Sequence, residues 1–209
     1  MSDKIKFTLD GKSVTAEAGE SIWEVAKKQG TLIPHLCHKD AEGYRSDGNC
    51  RACMVEIEGE RVLASSCIRT PTEGMVVNSQ DARSVNARKV VVEMLLADQP
   101  EQQAAHDKSS HFWKMAEMQN VSESRFPAIE IERTPLLDAS HLAMSVNLDA
   151  CIHCNLCVRA CREVQVNDVI GMSGRGHDAK ITFDLMCFSC TKRITIMKCG
   201  SENCIWIFV

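Results

Sequence analysis

Several absences bound this 209-residue chain. Its N-terminus, MSDKIKFTLDGK, has no apolar h-region, which argues against a secretory signal and for a cytoplasmic protein. No run of about 18 apolar residues occurs, so no membrane span is expected. The formal net charge is −4 with the two signs interspersed, so there is no basic stripe and nucleic acid is not an expected partner. Aromatics are few, with one Tyr and three Trp, so the cores are expected to be small and helped by bound groups. No nucleotide fingerprint is present either. GMSGRG at 171–176 carries its glycines in the order G-x-x-G-x-G and follows no βαβ unit, so it reads as a turn.

Against these absences stand twelve cysteines in three blocks. The first is Cys37, Cys50, Cys53 and Cys67. The second is Cys151, Cys154, Cys157 and Cys161. The third is Cys187, Cys190, Cys199 and Cys204. A disulfide scaffold needs an oxidising compartment, whereas C-x2-C steps in a cytosolic chain point to metal. The second block has the spacing C-x2-C-x2-C-x3-C, the ligand set of a cubane 4Fe–4S cluster. The first, C-x12-C-x2-C-x13-C, suits a 2Fe–2S centre of a subtype other than the plant ferredoxins. A zinc site of four cysteines, in an interaction module, is the alternative of another class.

Local patterns give the frame for the first block. KIKFTL alternates, Asp10-Gly11 is a hairpin signal, and KSVTAE follows. In GESIWEVAKKQG, Glu20 or Ser21 can open a helix with Ile22, Val25 and Ala26 on one stripe, and Gly30 can close it. Hairpin then helix begins a β-grasp arrangement. MVEIEGERVLASSC reads as a second hairpin turning near Glu58-Gly59 and ending at Cys67. Gly48 lets the backbone approach a cluster sulfide closely.

The stretch IPHLCHKDAEGYRSDGNCRACMVEIEGERVLASSCIRTPTEGM resembles the N-terminal 2Fe–2S domain of the family that contains the large iron–sulfur subunit of complex I. Within that family it is most similar to the alpha subunit of NAD-dependent molybdenum or tungsten formate dehydrogenases. SRFPA and the segment from Leu148 to Gly171 share the likeness, which covers roughly residues 4–185. The resemblance implies that Cys37, Cys50, Cys53 and Cys67 ligate one 2Fe–2S cluster. It also implies electron relay inside a larger complex, with a molybdopterin-containing catalytic subunit or domain and flavin/NAD diaphorase subunits as partners. No molybdopterin domain fits in this length, so the chain alone is not expected to oxidise formate. A small iron–sulfur subunit of an NAD-reducing hydrogenase or NADH–quinone oxidoreductase is the alternative.

Residues 81–97 read as a helix with Val91, Met94 and Leu95 on a shared face, closed by Asp98-Gln99-Pro100. Complex I relatives then carry H-x3-C-x2-C-x5-C for a further cubane. Here His106 keeps the His position, but Ser110, Trp113 and Gln119 replace the cysteines, so no cluster is expected. His106 and His111 read as surface or capping residues, and HFWKMAEM as a short amphipathic helix. Residues 121–145, with Pro127 and Pro135, lack periodicity and read as a linker.

In NLDACIHCNLCVRACREVQVNDVIGM, three thiolates wrap one cubane, and the fourth Cys is the one that two-cluster ferredoxins give to the other cluster. Asn167 to Ile170 and RGHDAKITFD read as short strands. Past residue 185 the likeness stops. Cys187, Cys190, Cys199 and Cys204 would complete a second cubane, but their spacing is irregular and no Cys-Pro follows. A frameshifted or truncated gene product would explain the tail, and TKRITIM reads as a strand. The expected fold is α+β: a β-grasp 2Fe–2S ferredoxin domain over 1–80, a helical connector and linker over 81–145, and a ferredoxin-like 4Fe–4S domain over 146–209, atypical after 185.

Overall fold

The structure is a computed structural model and describes residues 4–128, 137–141, 144–176, 179–183 and 205–207. The tail cysteines Cys187, Cys190, Cys199 and Cys204, and the strand expected at TKRITIM, lie outside the described residues. The chain divides into two compact units. One comprises Met1–His38, Ser46–Met94 and Met115–Arg125, the other Lys39–Arg45, Leu95–Lys114 and Phe126–Val209.

In the first unit, β1 (Ile5–Leu9) and β2 (Lys12–Ala16) form an antiparallel hairpin. Its turn needs positive φ at both central residues, and Asp10 (48°) and Gly11 (78°) supply it. The alternation buries Phe7, Leu9, Val14 and Ala16 on one face. α1 (Ile22–Lys28) starts at a full capping box: Ser21 Oγ accepts from the Glu24 N–H, and the Glu24 carboxylate accepts from the Ser21 N–H. It lays Ile22, Trp23, Val25 and Ala26 against the sheet, Ile22 and Val25 each contributing about 1.5–3 kcal/mol. β3 (Met54–Ile57) and β4 (Ala64–Ser65) are the second hairpin.

β5 (Val76–Asn78) completes the sheet, which has the order β2-β1-β5-β3-β4. β5 runs parallel to β1 and antiparallel to β3. This mixed sheet with a helix on its face is the arrangement the sequence implied. Three residues are too short to show period, which is why β5 has no signature in the pattern.

α2 (Ala82–Ala97) is capped by Asp81, whose carboxylate accepts from the N–H groups of Arg83 and Ser84. The helix is where expected, but its face is different. Met94 is exposed, and the buried stripe is Ser84, Arg88 and Val92 at four-residue spacing. An arginine at the centre of that stripe hides it from a search for apolar periodicity. α3 (His111–Met118) buries Phe112, Trp113, Met115 and Ala116, as its amphipathic pattern implies.

In the second unit the expected linker is in part a sheet. β6 (Leu137–His141) and β7 (Met144–Asn147) pair antiparallel, with a register shift between Asp138 and His141. β10 (Ile205–Ile207) adds to the other edge of β7, giving the order β10-β7-β6. β10 lies some sixty positions further along the chain, so local periodicity does not announce its place beside β7. A 3-10 turn (Leu148–Ala150), α4 (Leu156–Arg159) and a π-helical turn (Ala160–Val164) follow. β8 (Ile170–Ser173) and β9 (Lys180–Phe183) then form a hairpin: β9 lies within the strand expected at RGHDAKITFD, whereas β8 begins where the expected strand 167–170 ends and takes Gly171–Ser173 of the expected turn. Among the described residues no helix is long and apolar enough to cross a membrane.

Candidate metal centre

Two loops and one hairpin bring Cys37, Cys50, Cys53 and Cys67 together. Cys53 immediately precedes β3 and Cys67 follows β4 by one residue. The register Met54↔Ser65 sets both at the same open end of that hairpin. Ser66 locks this end, donating its N–H (3.1 Å) and its Oγ (2.8 Å) to the Cys53 carbonyl. Arg51, between Cys50 and Cys53, takes φ 59°, turning the C-x2-C step tightly enough for the Ala52 N–H to reach Cys50 Sγ at 3.4 Å. The Cys37 N–H reaches the same sulfur at 3.4 Å. N–H groups aimed at a ligand sulfur stabilise the thiolate and tune a bound metal.

Gly48 sits at φ 64°, and a Cβ there would stand 2.8 Å from Ile68 Cδ1. The left-handed backbone is the main reason for glycine at 48; the Ile68 contact is with the terminal methyl of an exposed side chain that can swing aside.

Cys37 is held by its neighbours in aromatic rings. Trp23 stacks edge-on to His35 at 4.7 Å and lies against His38 at 4.2 Å between centroids. The Trp23 indole N–H donates to the Ile33 carbonyl (3.0 Å), and its backbone N–H donates to the Ser66 carbonyl (3.0 Å). One residue of α1 therefore grips both the Cys37 loop and the Cys67 loop. His38 also shares a hydrogen bond of 2.6 Å with Ser46 Oγ. This clamp escapes sequence reasoning, although the histidines flanking Cys37 are its visible trace.

The four sulfurs form one proton-sharing network. Hydrogen bonds from Cys50 and Cys67 pull the Cys37 thiol far below its ordinary range. A hydrogen bond from Cys67 brings Cys53 down to about 7. Cys50 is pushed up by its bond to Cys37 and by burial, and Cys67 by its bonds to Cys37 and Cys53. Cys37 and Cys53 are thus biased toward thiolate and Cys50 and Cys67 toward thiol, in a site that is buried except for the half-buried Cys50. None of the four is in a disulfide. Among the described residues no set of three or more His, Cys, Asp or Glu side chains closes on a single-ion site. The sulfurs are hydrogen-bonded to one another rather than arranged as a finished shell. An all-sulfur donor set with N–H groups directed at sulfur fits a thiolate-ligated iron–sulfur group.

In the second unit Cys151, Cys154, Cys157 and Cys161 are all buried. His153 (φ 52°) and Asn155 (φ 60°) take left-handed backbone, one in each C-x2-C step, which coils the cysteine-bearing loop. The Val169 N–H donates to Cys161 Sγ at 3.2 Å, and the Asn167 N–H to the Cys161 carbonyl at 2.9 Å. Cys151, Cys157 and Cys161 lie in one core cluster with Val158, Ile170 and Ile181. Gln99 Nε2 donates to the Cys151 carbonyl at 3.3 Å.

The position of the relatives' further cubane is filled differently. His106, Ser110 and Trp113 line a cavity of about 300 Å³, but they offer an imidazole, a hydroxyl and an indole in place of thiolates. Ser110 and Trp113 are buried, and Trp113 packs edge-on to Phe112 at 5.1 Å. These donors do not fit a cubane.

Comparison with known proteins agrees with the first unit's chemistry. Residues 2–82 match the family described as 2Fe-2S iron-sulfur cluster binding domain. The chain is 30% identical, over 94% of its length, to "NADP-reducing hydrogenase subunit HndD" of Solidesulfovibrio fructosivorans, and covers 35% of that protein. It is 32% identical, over 85% of its length, to "NADH-ubiquinone oxidoreductase 78 kDa subunit, mitochondrial" of Candida albicans, and covers 25% of it. The chain thus spans about a third or less of the length of these two relatives. It is also 32% identical to "NAD-reducing hydrogenase HoxS subunit gamma" of Cupriavidus necator, over 86% of its own length and 76% of that subunit. Its fold superposes on a chain of the solved NAD+-reducing [NiFe]-hydrogenase in the H2-reduced state. There the TM-score is 0.76 at 28% identity, over 86% of this chain and 74% of that one. With these likenesses and a 2Fe–2S ferredoxin-type domain at its N-terminus, the chain belongs to the family of iron–sulfur electron-transfer subunits that includes the complex I 78 kDa subunit and the gamma subunit of NAD-reducing hydrogenase.

Proposed function

We propose that this chain relays single electrons between a flavin- and NAD-binding diaphorase subunit and a separate catalytic subunit. The observation that carries the reading is the hydrogen-bonded network of four cysteines at the open end of the β3–β4 hairpin, with two backbone N–H groups on Cys50 Sγ. Cys37, Cys50, Cys53 and Cys67 would hold a 2Fe–2S centre, which supplies reversible one-electron chemistry when bound. Cys151, Cys154 and Cys157, with Cys161, would hold a 4Fe–4S centre, and Cys187, Cys190, Cys199 and Cys204 are candidates for a second. The protein's own part is positional. Cys37 and Cys53 are already biased toward thiolate, while Cys50 and Cys67 must each release a proton as iron binds. Ser66 and Trp23 fix the two outer ligand loops, and burial excludes water. The domain limits 1–80, 81–145 and 146–209 belong to the same proposal.

The partner is the finer question. The wording of the cysteine-bearing segments favours a molybdopterin-containing, formate dehydrogenase-type catalytic subunit, in the cytoplasm. Coverage of 76% of a hydrogenase gamma subunit favours a hydrogenase or NADH–quinone oxidoreductase complex equally well. In either case the chain by itself has no substrate-oxidising activity. The test is anaerobic isolation of the tagged chain from its native cells with its bound subunits. NADH should bleach the visible absorption of the isolated complex. Molybdenum or tungsten in it supports the formate dehydrogenase reading, and nickel supports the hydrogenase reading. A complex with no flavin and no response to NADH refutes the relay.

A further inference from the structure

Arg88 is a buried cation that needs a reason. It sits on α2 at 2% exposure, and its Nη1 donates to the carbonyls of Met54 (3.1 Å) and Ser79 (2.8 Å). Its Nε finds no acceptor, and among the described residues no carboxylate forms an ion pair with it. The carboxylate whose charge acts on it, Asp10, spends one oxygen on the Ser79 N–H (2.6 Å) and the other on the Ser79 hydroxyl (2.7 Å). Burying a guanidinium without a paired charge is unfavourable, so such a group persists where it offsets another charge. Met54 directly follows Cys53. Burial lowers the Arg88 pKa, while the charges of Asp10 and then Cys53 pull it back up. Its hydrogen bond to the carbonyl of Met54, the residue after Cys53, sets the guanidinium beside the cysteine-bearing end of β3.

We propose that Arg88 is a positioning residue of charge, raising the reduction potential of the 2Fe–2S centre by stabilising its reduced form. This rests on the reading that Cys37, Cys50, Cys53 and Cys67 hold that centre. A four-thiolate 2Fe–2S group is a net anion, and its negative charge grows by one when an electron enters. A fixed buried cation therefore favours the reduced form over the oxidised one. No bond forms or breaks and no proton is required. The electron comes from a reduced partner, replaced in the test by dithionite.

The experiment is a redox titration of the 2Fe–2S electron paramagnetic resonance signal in the full, cluster-loaded chain. It compares wild type with Arg88→Gln, Arg88→Lys and Asp10→Asn. Arg88→Gln should lower the reduced-to-oxidised ratio at the wild-type midpoint about tenfold, the size expected of one unit charge acting through a protein interior. Arg88→Lys keeps the charge and should stay close to wild type. Asp10→Asn removes the competing negative charge and should raise the ratio. An Arg88→Gln midpoint equal to wild type overturns the proposal, and so does an Arg88→Lys shift as large as that of Arg88→Gln. If Arg88→Gln fails to take up the cluster, Asp10→Asn decides, and an unchanged midpoint there overturns it. A wild-type chain with no 2Fe–2S signal refutes the underlying reading instead.

Discussion

Replacing Trp23 probes how the ligand loops are held. The indole is 4% exposed, stacks on His35 and His38, and donates to the Ile33 carbonyl. Trp23→Ala removes the whole ring and should cost about 3–5 kcal/mol, the usual range for a buried aromatic. Trp23→Phe keeps a ring between the two histidines but leaves the Ile33 carbonyl without its donor, a loss of about 1–3 kcal/mol. The gap between the variants isolates the grip on His35 and His38, and through them on Cys37. The assay is guanidinium denaturation of the metal-free chain, followed by far-ultraviolet circular dichroism. Alongside it runs the rate at which a chelator strips the cluster from the loaded chain. Trp23→Ala should be the least stable and strip fastest, with Trp23→Phe between it and wild type. A Trp23→Ala chain within about 1 kcal/mol of wild type and stripped at the wild-type rate would refute the clamp.

Three further outcomes follow from named residues. Val166 is β-branched, 79% exposed and at φ 56°, so Val166→Gly should raise stability by about 0.5–1 kcal/mol by relieving left-handed strain; a fall in denaturation midpoint would contradict this. Gly48→Ala should lose about 1–2 kcal/mol, since it adds left-handed strain and a Cβ 2.8 Å from Ile68 Cδ1; Gly48→Ala combined with Ile68→Ala should recover only the contact part. The Cys53 pKa is depressed from the ordinary 9.0 to about 7, so its thiolate contributes stability that is complete above pH 9 and lost as pH falls through 7. Thiolate ultraviolet absorbance of the metal-free chain should show a step near pH 7 that Cys53→Ala removes, and a single step near 9 would contradict the network.

Much of the first unit is legible in the order of residues. Asp10-Gly11 gives the first hairpin and Ser21 with Glu24 gives the start of α1, because each local signal satisfies its own backbone groups. The cysteine spacing gives the ligand candidates. Features fixed at long range are less legible. β5 is three residues long and owes its place to β1 and β3. β7 is paired by β10 from far along the chain. The inner face of α2 is read wrongly from Val91, Met94 and Leu95 because Arg88, a charged residue, occupies its middle. The clamp around Trp23 depends on rings from two segments meeting, which no local period encodes. The π-helical turn at Ala160–Val164 closes on the Gln165 N–H donating to the Ala160 carbonyl five residues back (2.9 Å), a spacing that no apolar period encodes.

If the cysteines hold iron–sulfur groups for electron transfer, the metal content of the chain shows it. Iron, acid-labile sulfide and zinc should be measured in the full chain purified without oxygen, for wild type and Cys53→Ala. About six irons with matching sulfide are expected for one 2Fe–2S and one 4Fe–4S group, or about ten if the tail cysteines add a cubane. Cys53→Ala should lose about two irons together with the 2Fe–2S resonance. Stoichiometric zinc with no labile sulfide, or a Cys53→Ala chain with unchanged iron and resonance, would contradict this assignment.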